Sequence, residues 1–316
     1  MKPQQGTEVA SALEKEHILV IGSMNHDSFY ALPHPMRLGE NLHATAYHTA
    51  CGGKGANQAV QCAKLGLQTR MLGCLGKDDY GTLIDTQMRA YGVNMSQVQR
   101  IDTPTGNASV WVYPSGEVQA AIFGGANMHV TKEDIDRAMP LLAESAMVIL
   151  QNEIPMETVN HAILAAKAAG CSVLYNAAPA LALPHETLAN VDYLIVNEAE
   201  ATFYSGIHVQ DEATARQAAQ AIALGAHASL IITLGANGSL IAQNGHITMI
   251  PARKVNAVET TGAGDSYVGA LAYGLLHGDA LVHAAAFATR AAAITVSAIG
   301  AQPSMPTLQM LDAQDV

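Results

Sequence analysis

Cysteine is scarce in this chain: Cys51, Cys62, Cys74 and Cys171 are the only four in 316 residues, and no two stand in C-x-x-C spacing. That excludes a disulfide framework and a zinc ribbon, and predicts reduced thiols packed as small apolar groups. Basic residues are also few. Sixteen Lys and Arg against 27 Asp and Glu leave a net charge of −11, and without a basic stripe a surface for nucleic acid is excluded. Thirteen histidines include no H-E-x-x-H, which removes the commonest helical zinc motif. Most of the histidines are expected at the surface or in a lid, and His26 and His43 are singled out because they fall in the segment expected to form that lid. No uninterrupted apolar run reaches the ~18 residues of a membrane span. The segment from Met1 to Glu16 lacks the apolar centre of a signal peptide, so a cytoplasmic location is expected. The alanine-rich stretch Val282–Ser297 is interrupted by Thr289 and Arg290 and predicts a packed helix. No internal repeat or low-complexity tract occurs.

What is abundant is apolar surface, 49% of residues, enough for one large α/β domain, or one with a small appendage. Strand patterns at Ile18–Gly22, Arg70–Leu75, Met147–Gln151, Ser172–Asn176, Tyr193–Val196 and Leu230–Thr233 alternate with helical ones, predicting a mainly parallel core. Asn107–Tyr113, the turn Pro114-Ser115-Gly116-Glu117, and Val118–Phe123 read as an inserted hairpin.

The most informative motif is Glu259-Thr260-Thr261-Gly262-Ala263-Gly264-Asp265-Ser266. The preceding Lys254–Val258 alternates like a strand, and Val268, Leu271, Leu275 and Leu276 have helical spacing. Gly262 and Gly264 then sit at a helix N-terminus, where bare amides and the helix dipole favour an anion. Asp265 in the first turn is placed to take a proton from a hydroxyl beside that anion. The competing reading is a helix capped by Asp265 or Ser266 after a flexible turn. A second cluster, Cys51-Gly52-Gly53-Lys54-Gly55-Ala56-Asn57-Gln58, opens a helix expected over Ala56 to about Leu65. It is not a Walker loop, because no Ser or Thr follows Lys54, and neither cluster completes G-x-G-x-x-G. A close-packed helix start is the alternative. Asn25 and Asp27 share one face of an extended segment with His26 on the other, a pairing suited to adjacent hydroxyls or, alternatively, to a turn. Asn197 and Glu200 follow the buried strand Tyr193–Val196. They fit either a carboxylate near Mg²⁺ and its waters or an ordinary capping box.

In this order, with Gly125-Ala126-Asn127, Asn176-Ala177-Ala178-Pro179-Ala180, Thr233-Leu234-Gly235 and Gly300-Ala301-Gln302-Pro303-Ser304 between and after them, these elements identify a resemblance. The chain resembles the ribokinase-like (PfkB) carbohydrate kinases from about Ile18 to Pro306, and is most similar to their ribokinase and deoxyribokinase branch. Any one element is a weak signal, but the ordered set is specific.

The resemblance implies a three-layer α/β/α, doubly wound, mainly parallel sheet in a single domain, with a small β-sheet lid from about 26–50 and 104–125. It implies ATP-dependent phosphorylation of the primary 5-hydroxyl of a pentose. Asp265 would be the base, with Gly262, Ala263 and Gly264 forming the anion hole. Asn25, Asp27, Gly53, Asn57 and Glu153 would hold the sugar hydroxyls, with Lys54 beside the sugar. Asn197 and Glu200 would serve the triphosphate and Mg²⁺, and Thr233 and Gly235 would lie along the nucleotide. Glu259, Thr261, Thr295, Gly300 and Ser304 would surround a monovalent cation such as K⁺. Glu259 departs from the Asp usual there, and Tyr267 brings bulk near the pocket. A homodimer joined through the lid is expected, with strand edges from Asn107–Tyr113 or the His26–Ala50 segment meeting across the axis. The substrate side offers only Lys54 and Arg37 as cations, which favours an uncharged sugar over a sugar phosphate. A nucleoside or hexose kinase of the same fold and a catalytically silent sugar-binding regulator are the alternatives. An intact Asp265 opposes the regulator.

Overall fold

The computed structural model describes residues 17–313; Met1 to Glu16 lies outside the described residues. Strands are numbered along the chain. Seven form a parallel array: β1 (His17–Ile21), β4 (Gln68–Gly76), β5 (Asn94–Ile101), β8 (Ser145–Leu150), β9 (Ser172–Asn176), β10 (Tyr193–Val196) and β11 (Ser229–Thr233). Antiparallel β12 (Ser239–Gln243) and β13 (His246–Ile250) extend it, giving the order β13-β12-β11-β10-β9-β8-β1-β4-β5. The six core strands expected from sequence are all present and mutually parallel.

Period-two alternation in β1 explains the layering. Ile18 and Val20 enter one core with the helices Lys54–Lys64, Ala263–Leu276 and Leu281–Thr295, whereas Leu19 and Ile21 enter the other with Met156–Ala168 and Glu212–Ala221. Both faces of the sheet are thereby covered. The alanine-rich segment is the packed helix Leu281–Thr295, whose Ala284, Ala285, Ala288 and Ala291 are buried. Among the described residues no helix is long and apolar enough to cross a membrane. All four cysteines are buried, the Cys171 thiol donates to the Leu142 carbonyl at 3.0 Å, and burial pushes the Cys62 and Cys74 thiols up to about 12.

A second sheet, ordered β3-β2-β6-β7, consists of β2 (Asn25–Ala31), β3 (Ala46–Gly52), β6 (Gly106–Val112) and β7 (Val118–Phe123). The inserted hairpin is β6–β7, paired antiparallel. Strand β6 is interior, hydrogen-bonded to both β2 and β7, so the expectation that Asn107–Tyr113 supplies a free edge is corrected: the edges are β3 and β7. Every residue of β7 is exposed. His26 is buried and stacks on Tyr80 with ring centroids 3.9 Å apart, and His43 and Arg37 are exposed on the connection between β2 and β3.

Lys254–Val258 is not a strand. Residues 251–260 have no regular structure and are almost wholly exposed, so their alternation has neither a partner strand nor a buried face to serve. The last strand ends at Ile250, and an irregular segment leads to the Ala263–Leu276 helix.

Candidate active site

The site gathers at the C-terminal ends of the parallel strands and the start of two helices, the expected place for a ligand in an open α/β sheet. The Lys54–Lys64 helix starts two residues earlier than the expected Ala56. Its cap, Gly53, has φ of 88°, where a Cβ would come 2.9 Å from the Asn25 nitrogen; only glycine permits both the backbone and the contact. The Ala263–Leu276 helix begins at Gly262, φ 81°, where a Cβ would stand 2.6 Å from that of Ala301. Gly264 is exposed, and a Cβ there would meet nothing within 4 Å. The first amides of a helix have no intrahelical partners. That of Ala263 lies 3.3 Å from the Thr260 carbonyl, so the end of the helix presents its bare surface chiefly at Gly264.

Asp265, one residue on, is buried. Asn57 Nδ2 donates to its Oδ2 and Gln58 Nε2 to its Oδ1, each at 2.9 Å. Burial raises its pKa above the ordinary carboxylate value, while the Lys54 charge and these two amides pull the other way. The result is a carboxylate held in fixed orientation with heightened basicity. Lys54 is placed among the Asp265, Glu153 and Glu200 carboxylates: burial would lower its pKa, and together the three charges raise it instead. Glu153 accepts from the Ser23 hydroxyl and from the Lys54 backbone at 3.0 Å.

Asn25 and Asp27 share a face of β2. Asn25 Oδ1 accepts from Asn127 Nδ2 at 2.7 Å, and Asn127 also bonds both backbone groups of Met24, which gives the Gly125-Ala126-Asn127 motif its structural purpose. Asp27 Oδ1 is buried without a partner. Burial first, then the nearby Glu153 charge, push the Asp27 carboxyl up to about 7. An unpaired buried carboxylate oxygen is a costly feature that a ligand hydroxyl would relieve.

Asn197 and Glu200 form the capping box given above as the alternative: Asn197 accepts from the Glu200 amide at 2.9 Å, and Glu200 Oε2 from the Asn197 amide at 2.8 Å. Glu200 is nevertheless buried, and burial raises its pKa. Thr233 bonds the Val196 carbonyl at 3.3 Å, and Gly235 begins an exposed turn with φ 51°.

Of the five candidate cation ligands, Glu259 and Gly300 meet directly, the Gly300 amide donating to Glu259 Oε2 at 2.8 Å. Thr261 is exposed. The Ser304 hydroxyl donates to the Ala301 carbonyl at 3.0 Å. The Thr295 hydroxyl points elsewhere, to Ser266 at 2.8 Å and Ala291 at 3.0 Å. Tyr267 does not fill the pocket: it is buried with its hydroxyl 2.9 Å from that of Ser239.

Sequence reasoning assigned no role to Gln58, Gln151, Asn176 or Gln302, all buried in the site. One signal was available. Within the small and apolar run of the Lys54–Lys64 helix, Asn57, Gln58 and Gln61 are buried amides, and buried amides require partners.

The model of the pfkB family carbohydrate kinases matches residues 15–308. A ribokinase of Haemophilus influenzae is 34% identical over 296 residues, 93% of this chain and 97% of that protein, and a deoxyribokinase of Salmonella typhi is 34% identical with the same coverage. Among solved structures, Arabidopsis thaliana ribokinase complexed with ribose and ATP superposes with a TM-score of 0.85 at 31% identity, covering 94% of this chain and 98% of that one. The chain therefore belongs to the pfkB family and is an ATP-dependent carbohydrate kinase.

Proposed function

We propose that this enzyme phosphorylates the primary 5-hydroxyl of a pentose, ribose or 2-deoxyribose, with Asp265 as general base. The observation that carries the reading is the buried Asp265 carboxylate one residue beyond an exposed Gly264 amide at a helix N-terminus. The sugar hydroxyl gives its proton to Asp265, its oxygen bonds to the γ-phosphorus of ATP, and the bond from that phosphorus to the bridging oxygen breaks to release ADP. Amides at Gly262, Ala263 and Gly264 receive the charge developing on the phosphoryl oxygens. Lys54 lies beside the sugar, and Asn25, Asp27, Gly53, Asn57 and Glu153 hold its hydroxyls.

On the nucleotide side, Asn197, Glu200, Thr233 and Gly235 are assigned to ATP. A buried carboxylate such as Glu200 suits the outer surroundings of Mg²⁺, a hard cation that keeps several waters. When bound, that ion would neutralise phosphate charge. K⁺ is assigned to the loop of Glu259, Thr261, Gly300 and Ser304, with Thr295 contributing through its backbone, since its hydroxyl is engaged with Ser266. The four-stranded sheet is read as the lid and as the dimer contact.

A relative named ribokinase and one named deoxyribokinase are each 34% identical to this chain, so both sugars belong to the proposal. The test is ADP release by the purified protein across pentoses, 2-deoxypentoses, hexoses and nucleosides. A pentose should give the highest kcat/KM. A nucleoside or hexose that exceeds every pentose would overturn the substrate assignment, and no turnover with any would point to the silent regulator.

A further inference from the structure

Asp265 is the end of a chain of side-chain amides that begins near the surface. Gln87, half-buried on the Asp79–Ala90 helix, donates through Nε2 to Gln302 Oε1 at 3.0 Å. Gln302, fully buried, donates through Nε2 to Asn57 Oδ1 at 3.1 Å. Asn57 donates in turn to Asp265. A second, shorter arm runs from Gln151 through Gln58 to the other carboxylate oxygen, at 2.7 and 2.9 Å.

Chemistry fixes the direction of every link. An ionised carboxylate only accepts, so Asn57 must turn its NH2 group to Asp265 and its carbonyl away. A buried carbonyl in that position needs a donor, and Gln302 supplies one. Without it, the Asn57 carbonyl is left buried and unpaired, and the amide loses one of the two bonds that hold its NH2 group on the carboxylate. Amides bonded head to tail also polarise one another in the same sense, strengthening the terminal bond to the acceptor.

We propose that Gln302 is a positioning residue for the reaction: by holding the Asn57 amide with its NH2 toward Asp265, it orients the base from the C-terminal Ala301–Ser304 turn. The proposal rests on the assignment of Asp265 as base. It gives a function to a side chain that touches neither substrate nor the reacting atoms, and it makes the arrangement of residues 300–306 audible at the carboxylate. The turn is itself anchored, because Lys64 Nζ donates to the carbonyls of Gln302 at 2.6 Å and Met305 at 2.9 Å.

Gln302→Met keeps the volume and removes both bonds. At saturating sugar, kcat should fall about tenfold, the scale of one lost buried hydrogen bond, while the KM for ATP stays within about twofold. In an Asn57→Ala background the same substitution should change kcat less than about twofold, because the link it serves is already cut. Wild-type kcat in Gln302→Met, or a full additional loss on top of Asn57→Ala, overturns the proposal. Should Gln302→Met not fold, the half-buried Gln87→Met interrupts the same chain: a fall of about threefold that vanishes in the Asn57→Ala background supports it, and an equal fall in both backgrounds overturns it. Asp265→Asn is measured alongside. Turnover surviving there removes the base and with it the proposed function, whereas loss there with an unaffected Gln302→Met removes only the chain.

Discussion

Asn57 Nδ2 stands 2.9 Å from Asp265 Oδ2 although 208 positions separate the two residues. One belongs to the glycine-rich helix start that follows the small sheet, the other to the helix that follows the large sheet. Their hydrogen bond brings the proposed sugar face and the proposed phosphoryl site to a single carboxylate. Sugar recognition and base orientation then share a side chain.

Asn57→Ala and Asp27→Ala should therefore weaken sugar use far more than nucleotide binding, by about 1–3 kcal/mol each for the lost partner of a buried hydroxyl. Steady-state KM for the pentose, set against calorimetric titration with ATP, separates the two effects. Equal damage to both ligands would make these residues structural.

Asp27 also makes a pH-dependent prediction. Its carboxyl is raised from 3.8 to about 7 in the folded chain, so the folded state binds the proton more tightly than the unfolded one. The stability this lends is fully present below pH ~4 and is lost as pH rises to ~7. Asp27→Asn, which cannot ionise beside Glu153, should raise Tm over wild type at pH 8 and by progressively less toward pH 5, while impairing sugar use. A Tm difference that is flat across that range contradicts the assignment.

Much of this fold was legible in the sequence. Buried parallel strands such as Tyr193–Val196 are short apolar runs bounded by polar residues, and the observed bounds coincide with that pattern. Alternation alone misled at Lys254–Val258, because period two without a pairing edge and a buried face does not make a strand. Asn197 and Glu200 illustrate a different limit: a capping box and a carboxylate by a nucleotide share one sequence signature, and the side chains satisfy the first without excluding the second. Tyr267 is adjacent to Ser266 in the helix yet faces the core, since direction on a helix changes by about 100° per residue. The amides Gln58 and Gln302 escaped because their meaning lies in partners 93 to 245 positions away in sequence.

The lid should make a homodimer. Val118, Ile122 and Phe123 of the edge strand β7 are 62%, 67% and 51% exposed, an apolar, unpaired edge of the kind that natural proteins cover. Light scattering should return twice the 33.0 kDa monomer mass. Ile122→Lys should shift it to monomer. A wild-type monomer at micromolar concentration rejects the interface.

Turnover should rise several-fold when tetramethylammonium is replaced by K⁺ at constant ionic strength. Glu259, whose carboxylate already receives the Gly300 amide, would steady the loop that leads into Gly262 and Gly264, an effect on preorganisation. Glu259→Ala should abolish the difference. Identical wild-type rates in the two salts would remove the cation from the mechanism.

The central claim is that Asp265 takes the proton from the sugar hydroxyl, and its most direct test is a single-turnover measurement of γ-phosphoryl transfer from ATP to ribose, or to the preferred pentose, by wild type and Asp265→Asn. The substitution keeps shape and removes the basic oxygen. Transfer should slow by roughly 10²–10⁴ with ATP affinity nearly unchanged, whereas a rate within a few-fold of wild type would contradict the account.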